Sequence, residues 1–220
     1  INITFFIRKR LSSLSWKIAI IFILRIVNFI TNFAFIIVYI LLYRRYKKRV
    51  FNSKVEQYYS LILILLILFI GFGSLLFHLL GTVLSAITDV VPIMIFIILY
   101  LYLSVKFFLN CSQRAAIFSI GIFLIFNTLL TALGVEEIAS YLLALFSMLL
   151  ISILTYKKKE YDISLGLLIA SFIFTISLSL RQMDLLYCAH LEIGTHWLWH
   201  ILNSILLYML VILFMDRKLK

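Results

Sequence analysis

Residues 61–78 read LILILLILFIGFGSLLFH, an apolar run that ends in a serine and a histidine. A run of this kind is long enough to cross most of a bilayer as a helix. Gly71 and Gly73 are expected to permit close approach of a neighbouring helix. Ser74 and His78 are four residues apart and so share one helix face. Polar groups are costly in lipid and need partners, so this segment predicts a membrane helix that carries part of a site.

The whole chain has the composition of a membrane protein. Its 220 residues are 65% hydrophobic and 13% charged, whereas soluble domains have roughly 45–50% apolar and about 25% charged residues. The mean hydropathy is +1.15. A soluble fold would leave apolar surface that it could not bury. The sequence therefore predicts an all-α integral membrane protein with a single domain over residues 1–220.

Seven apolar segments are long enough to serve as transmembrane helices. No long linker, low-complexity tract or soluble domain interrupts them. We predict spans at about residues 18–43, 59–80, 86–108, 115–133, 138–155, 163–181 and 195–215. The predicted fold class is a bundle of seven transmembrane helices.

The net charge of +11 comes from basic residues at the ends of the apolar runs. They form no aromatic-basic platform in a soluble segment, so they indicate anchoring beside the membrane rather than nucleic-acid binding. With the N-terminus outside, fourteen Lys and Arg residues lie in cytoplasmic segments and five in outer segments, Arg25 in the first span not being counted. The positive-inside rule therefore favours N-out, C-in, although the basic N-terminus opposes it. Richness in Ile, Leu, Phe and Lys is typical of AT-rich bacterial genomes, so the expected location is a bacterial inner membrane.

Counting crossings brings the scarce polar residues to one side of the membrane. His78 ends the second span, and His196 and His200 begin the seventh, so four spans lie between them. An even number of crossings returns the chain to the same side. Asp89 opens the third span, a short loop after His78. Together with Ser74, these side chains are expected at one leaflet whatever the orientation.

The residue types at this leaflet favour a metal-dependent hydrolase. Three neutral imidazoles with an open fourth position are a common catalytic zinc arrangement. His196 and His200, one turn apart, can supply two ligands from one helix as in HExxH enzymes, although the glutamate of that motif is absent. Asp89 can take a proton from an attacking water. Ser74 can donate a hydrogen bond to the oxyanion of a tetrahedral intermediate.

The same side chains also admit purely structural roles. Each histidine alone fits helix packing or an interfacial position equally well, but their joint placement with a serine and an aspartate disfavours that, since intramembrane ionisable groups are costly. A non-catalytic metal site and a proton relay are alternatives. Pro92, three residues beyond Asp89, predicts a kink in the third span, and a role in packing accounts for it at least as well as a functional one. His190 is expected to face solvent rather than bind metal.

The motifs resemble those of the alkaline ceramidase family, seven-span zinc hydrolases of a superfamily that also includes adiponectin-receptor-type proteins. The resemblance covers spans one, two, three, six and seven. Its motifs are Gly-x-Gly-Ser-x-x-Phe-His at 71–78, Asp89 followed by Pro92, His-x-x-x-His at 196–200, Asn28-x-x-Thr31-Asn32 and Asp184-x-x-x-Cys188. It implies that three histidines bind one zinc ion: His78, His196 and His200. It also implies that Ser74 and Asp89 assist a metal-activated water, and that ceramide is hydrolysed to a sphingoid base and a fatty acid.

The chain departs from the family at its N-terminal side. Family members carry an acidic segment that resembles a calcium site and ends in a Glu three residues before the first-span Asn. Arg25 takes that position here, and residues 1–55 contain no Asp or Glu. No calcium site is expected, because calcium needs oxygen ligands and especially carboxylates. The family's N-terminal cysteine is missing and Cys111 is predicted on the opposite side of the membrane, so Cys188 is expected to be unpaired.

Four further positions have less specific predictions. Arg25 is expected to extend to the interface, with contact to a lipid head group as the alternative. Asn28 and Asn32 share a face of the first span and either tie helices together or line the site. Asp184 either holds the loop before the seventh span or supports a histidine.

The sequence thus predicts an intramembrane zinc-dependent lipid amide hydrolase that cleaves ceramide. The alternatives are an enzyme of the same superfamily acting on another acyl lipid, and a seven-span lipid-sensing receptor with structural zinc. A transporter would need helix-breaking segments in paired half-repeats, and one proline without an inverted repeat disfavours it. The expected partners are the bilayer and its lipid substrate, with one Zn²⁺ per chain, no nucleic acid and no obligate protein partner.

Overall fold

The computed structural model describes residues 26–51, 53–135, 138–187 and 194–217. Within these ranges it has the helices α1 (Phe33–Lys48), α2 (Lys54–Leu80), α3 (Val83–Leu103), α4 (Gln113–Ala132), α5 (Ala139–Lys157), α6 (Tyr161–Tyr187) and α7 (His196–Asp216). Residues 26–31 are helical directly before α1, and a π-helical turn, Ser104–Phe108, extends α3. These segments give seven helices long and apolar enough to cross a membrane. The predicted seven-helix membrane bundle is confirmed.

The turn between α2 and α3 is built from two residues. Gly81 ends α2 with φ +61°, in the left-handed region that glycine adopts without steric cost. Thr82 then forms a reciprocal capping box with Ser85, which satisfies backbone N–H groups at the start of α3. So short a turn keeps the end of α2 and the start of α3 side by side, with His78 and Asp89 at the same end of the bundle.

Three helix boundaries differ from the prediction by five residues or more. α1 continues to Lys48, past the predicted end at 43, because arginine and lysine are good helix formers and their long side chains reach the interface. α2 begins at Lys54 rather than 59, on the Ser53 cap. α6 continues to Tyr187 rather than 181, so Arg181 and Asp184 lie on a helix and not in a loop. The predicted start of the first span, at 18, lies outside the described residues.

The helices form a closed ring in chain order. Each packs against the next, and α7 also packs against α1 and α2, which closes the ring. Tyr100 OH donates a hydrogen bond to the Leu210 carbonyl at 2.9 Å, between α3 and α7. Ser152 Oγ donates to the Ser164 carbonyl at 2.8 Å, between α5 and α6. Such hydrogen bonds add to the van der Waals packing that holds helices together in lipid.

The outside of the ring is as apolar as its inside. Phe118 is 71% exposed and Phe172 is 66% exposed. Exposed aromatic side chains at many places around a bundle would make it insoluble in water. In a bilayer the same surface contacts lipid chains, as expected for a multi-pass integral membrane protein.

An apolar cavity lies inside the ring, and all seven helices contribute to its wall. Its lining is almost entirely apolar. On α3 the lining runs from Ile93 to Ser104, and on α7 from Trp199 to Leu210. At ~1.5 Å of rise per residue, these intervals correspond to a depth of roughly 16 Å along the bundle. The cavity is thus about half as deep as the ~30 Å hydrocarbon core of a bilayer.

Candidate metal centre

Three histidines meet at the end of the bundle where α2 ends and α7 begins. His78 lies in the last turn of α2, whereas His196 and His200 are in the first two turns of α7. The Nε2 atoms of His78 and His200 are 3.2 Å apart. One ring nitrogen from each histidine lies within 4.8 Å of those of the other two. The predicted convergence of the three histidines is confirmed.

The spacing between His78 and His200 fits two ligands of a single tetrahedral metal ion. Two nitrogens bound to one Zn²⁺ at ~2.0–2.1 Å and at the tetrahedral angle lie about 3.3 Å apart. The 3.2 Å between the Nε2 atoms of His78 and His200 is close to this value. An all-imidazole donor set suits zinc, among other transition metals. The three histidines can therefore hold one zinc ion and leave a fourth position for another ligand.

Thr31, just before α1, lies against Nδ1 of His200 and can accept a hydrogen bond from it. Its Oγ1 lies 3.0 Å from His200 Nδ1, and also 2.9 Å from the Val27 carbonyl oxygen and 3.1 Å from that of Asn28. The hydroxyl gives its one proton to these carbonyls, so its oxygen accepts from the Nδ1–H of His200. That tautomer leaves the Nε2 lone pair of His200 free to bind a metal.

Ser74 and Asp89 are brought together by a close contact between α2 and α3. A Cβ atom added at Gly73 would lie 2.0 Å from the carbonyl oxygen of Thr88, and one at Gly71 would meet α1 at 2.9 Å. Only a residue without a side chain permits such approaches, so the predicted role of both glycines is confirmed. Ser74 and Asp89 directly follow the contacting residues, and their side chains interact. They are therefore fixed beside each other, one helical turn from His78 on the α2 side.

Asp184 holds the beginning of α7. Its Oδ1 accepts hydrogen bonds from the backbone N–H groups of Thr195 at 2.6 Å and His196 at 3.3 Å. These N–H groups belong to the helix start, which lacks intrahelical acceptors and favours a negative charge. Thr195 Oγ1 also donates to the Leu180 carbonyl at 2.6 Å. Of the two roles predicted for Asp184, the structure shows that it holds the segment before the seventh helix, and thereby His196.

The structure adds Arg181 to the site. Sequence reasoning assigns this residue only to the basic residues of an outer segment, yet its guanidinium carbon lies 4.9 Å from the Tyr141 ring centroid and 5.0 Å from that of Trp199. Its charge acts on Asp89 and on His196. The sequence signal that could have found it is its spacing of three residues from Asp184, which puts both on one face of a continuous helix.

The remaining residues singled out from the sequence have smaller roles or lie elsewhere. Asn32 is fully buried, and its Nδ2 donates to the Asn28 carbonyl of the same helical segment at 2.7 Å, so this bond ties no two helices together. α3 runs through Pro92 without interruption. Cys111 is a free thiol at the end of the bundle away from the histidines, as predicted. Three named residues lie outside the described ranges: Arg25, Cys188 and His190.

The apolar cavity begins one helical turn below the histidine cluster. Its wall includes residues three or four positions from Thr31, Ser74, Asp89 and His200 on the same helical segments, namely Phe35, Ile70, Ile93 and Asn203. The Phe35 ring centroid is 6.5 Å from that of His200. The wall of the cavity therefore comes within one helical turn of the cluster.

Compared with models of known protein families and with curated proteins, this chain matches none of them significantly. The resemblance to alkaline ceramidases therefore rests on its sequence motifs and stays a prediction. The clustering of the histidines does not depend on that resemblance, because it is a property of the fold.

Proposed function

We propose that this protein is an intramembrane zinc-dependent hydrolase of a lipid amide, with ceramide as the first substrate to test. The observation that carries the proposal is the three-histidine cluster within one helical turn of an apolar cavity to which every helix contributes. Hydrolysis of a lipid amide requires a polar reaction centre and a dry compartment for an acyl chain. This fold supplies both within one bundle.

The ion would be held by His78, His196 and His200. When bound, zinc supplies Lewis acidity, which polarises an amide carbonyl and lowers the pKa of water towards ~7. Two neighbours support this assignment. The Thr31 hydroxyl can accept the Nδ1–H of His200, which leaves Nε2 free for a metal, and Asp184 fixes the backbone of His196. Partners of this kind orient metal ligands in known metal sites.

Asp89 is the proposed base. It takes a proton from the attacking water while the new C–O bond forms, and it delivers that proton to the amine nitrogen while the C–N bond breaks. The products are a fatty acid and a free amine. Ser74 has a single hydroxyl proton, so at any moment it donates either to Asp89 or to the substrate carbonyl oxygen. Its contact with Asp89 orients the carboxylate, and donation to the carbonyl oxygen would stabilise the developing oxyanion.

The cavity is the proposed binding site of the acyl chain. Its depth of roughly 16 Å along the helix axes is close to the thickness of one leaflet, about half of the ~30 Å hydrocarbon core. An acyl chain that leaves the leaflet and enters the cavity exchanges one apolar environment for another. Lateral access from the bilayer follows as part of the proposal.

The site lies at the end of the bundle opposite to most of the basic residues in the described ranges. The last turn of α1 carries Arg45, Lys47 and Lys48, and that of α5 carries Lys157; both turns are at the far end from the histidines. The positive-inside rule puts such residues in the cytoplasm. We therefore place the site at the outer leaflet, and we propose a bacterial inner membrane as its location.

The decisive experiment measures fatty-acid release from ceramide by purified protein, with and without zinc, beside the variant His200→Ala. Zinc-dependent release that the variant loses would support both the enzyme class and the metal site. Release that the variant retains in full would reject the site. About one bound zinc per chain without hydrolysis of any long-chain amide or ester lipid would reject the enzyme and favour a lipid-sensing receptor.

A further inference from the structure

Arg181 brings a positive charge to the histidine end of the bundle and forms no ion pair there with any described residue. Its Nη1 atom is buried and has no hydrogen-bond partner within the described ranges. A buried charged donor without an acceptor is costly in free energy. An acceptor supplied by a bound ligand would remove that cost.

Two aromatic rings hold the guanidinium in place. The rings of Tyr141 and Trp199 are perpendicular to each other, at 81° with centroids 5.4 Å apart, and the Arg181 guanidinium carbon is about equally far from both. Cations are attracted to aromatic faces at such distances. This arrangement fixes the position of the charge without neutralising it.

The same two rings place Arg181 beside the cavity and close to the start of α7. Tyr141 and Trp199 both line the cavity, and Trp199 directly precedes His200 in α7. A lipid whose chain fills the cavity therefore has its polar end near both Arg181 and the metal ligands.

Two described acids at this end of the bundle, Asp184 and Asp89, have hydrogen-bond partners other than Arg181. Asp184 accepts hydrogen bonds from two backbone N–H groups at the start of α7. Asp89 interacts with Ser74. Neither forms an ion pair with Arg181, so one buried N–H of the guanidinium is left for something else.

We propose that Arg181 binds a lipid carboxylate beside the metal centre. The proposal rests on the proposed function and narrows its substrate class. A guanidinium is planar and presents paired N–H donors that match a carboxylate, so it is well suited to this ligand. The carboxylate has two possible sources. It is either the fatty acid formed by hydrolysis or an acidic group on the amine part of the substrate, as in an N-acyl amino acid.

A binding experiment tests the site without any catalysis. Zinc-free protein in detergent is titrated with a long-chain fatty acid and with the primary alcohol of the same chain length. We expect the acid to bind roughly tenfold or more tightly than the alcohol, since hydrogen bonds to charged groups are among the strong ones. Arg181→Gln should bind the two ligands equally well.

Arg217 offers a matched control. Its guanidinium carbon also lies over two rings, 4.7 Å from the Phe107 centroid and 3.9 Å from that of Phe214, and it is buried. It is at the opposite end of the bundle, so Arg217→Gln should keep the preference for the acid. Arg181→Lys keeps the charge without the paired donors, and it should retain a preference reduced several-fold. This second variant serves as the test if Arg181→Gln does not fold.

A turnover experiment on the zinc-loaded enzyme separates the two sources. N-acylglycine carries a carboxylate on the amine side of its amide bond, whereas N-acylethanolamine carries a hydroxyl group there. If the substrate carries the acid, Arg181→Gln raises KM for N-acylglycine alone and leaves kcat nearly unchanged. If the product carries it, Arg181→Gln weakens inhibition by fatty acid with both substrates.

Two results would overturn the proposal: equal affinity of the intact protein for acid and alcohol, or an undiminished preference in Arg181→Gln. The binding arm needs neither metal nor turnover. A preserved preference in a protein that hydrolyses no amide would therefore reject the proposed function and leave the carboxylate site standing.

Discussion

The two ends of the bundle treat their polar groups in opposite ways. Away from the histidines, charges pair within the chain: Arg45 and Arg49 contact Asp216 at 2.6 and 2.7 Å, and Arg49 faces the fully buried Glu56 at 3.7 Å. At the histidine end, three imidazoles face one another, and Arg181 has no ion pair with a described residue. At the first end, Asp216 and Glu56 pair with basic residues of the same chain, whereas the second end offers an imidazole cluster and a guanidinium without an ion pair among the described residues.

This contrast predicts that the stability of the fold and the binding of ligands depend on opposite ends of the bundle. Substitutions at the paired end should lower the free energy of unfolding and leave the metal site of the folded protein intact. Substitutions at the histidine end should remove metal or activity with little effect on folding. Five substitutions test this separation, beginning with the largest expected effect.

His78→Ala should abolish activity. Loss of one of three ligands must weaken zinc binding by more than the roughly 10–100-fold that loss of a supporting residue costs. Zinc content and fatty-acid release measure the effect, and both should fall to background. The chain has four histidines, and His190→Ala serves as the control that keeps both properties. Normal zinc content in His78→Ala would remove His78 from the site.

Asp89→Asn should separate metal binding from chemistry. The amide has the size of the carboxylate but cannot accept the proton, so kcat should fall by about 10²–10⁴-fold while zinc content stays normal. Asp162→Asn, at the start of α6 and the opposite end of the bundle, should leave kcat unchanged. A kcat for Asp89→Asn within a few-fold of that of the intact enzyme would mean that another group moves the proton.

Arg49→Ala should affect stability alone. It leaves the buried Glu56 carboxylate without its nearest cation, and breaking a buried ion pair costs about 3 kcal/mol when the remaining partner stays charged. Thermal unfolding in detergent measures the loss, which the double variant Arg49→Ala/Glu56→Gln should largely restore. Arg44→Ala, on the exposed side of the same helix, should have little effect. Lost zinc in the folded fraction of Arg49→Ala would contradict the separation of the two ends.

Thr31→Val should weaken zinc binding without abolishing it. Valine keeps the shape of threonine but cannot accept the hydrogen bond from His200 Nδ1, and loss of such a partner costs roughly 10–100-fold in metal affinity. Competition with a chelator measures the affinity. Thr128→Val is the matched control, because the exposed Thr128 hydroxyl makes the same kind of bond to a carbonyl of its own helix, at 3.0 Å. Equal zinc affinity of the two variants would show that the Thr31 hydroxyl does not support zinc binding by His200.

Ala144→Phe should produce the smallest change, a shift in substrate preference. Ala144 lines the cavity, and a benzyl group there shortens the space for an acyl chain. The ratio of kcat/KM for short against long amides should rise several-fold. Leu142→Phe changes the outer surface of the same helix and should leave the ratio unchanged. An unchanged ratio in Ala144→Phe would place the acyl chain elsewhere.

The sequence was sufficient to predict the spans and the meeting of the histidines. Each span needs ~20 apolar residues, and that signal is strong in this composition. His78 and His196 then fall on one side because an even number of crossings separates them. The end of α6 was not predictable by the same signal, because its apolar run stops at 181 while the helix itself continues to Tyr187.

The rotation of each helix was beyond the reach of the sequence. A helix that is apolar on all sides shows no preferred face, so nothing in the span itself turns Thr31 towards His200. The position of Arg181 between Tyr141 and Trp199 depends on the packing of three helices, α5, α6 and α7. The cavity could not be predicted from the sequence for the same reason, because the residues that line it and the residues that face lipid are of the same types.

The order of the ligands along the chain has a consequence for biosynthesis. His78 lies on α2, whereas His196 and His200 lie on α7, which is translated after the other six helices. A nascent chain that has inserted only α1 to α6 therefore offers a single imidazole from this cluster. If the cluster binds zinc as proposed, loading must wait until α7 has docked against α1 and α2. Metal occupancy would then mark the chains in which insertion has gone to completion.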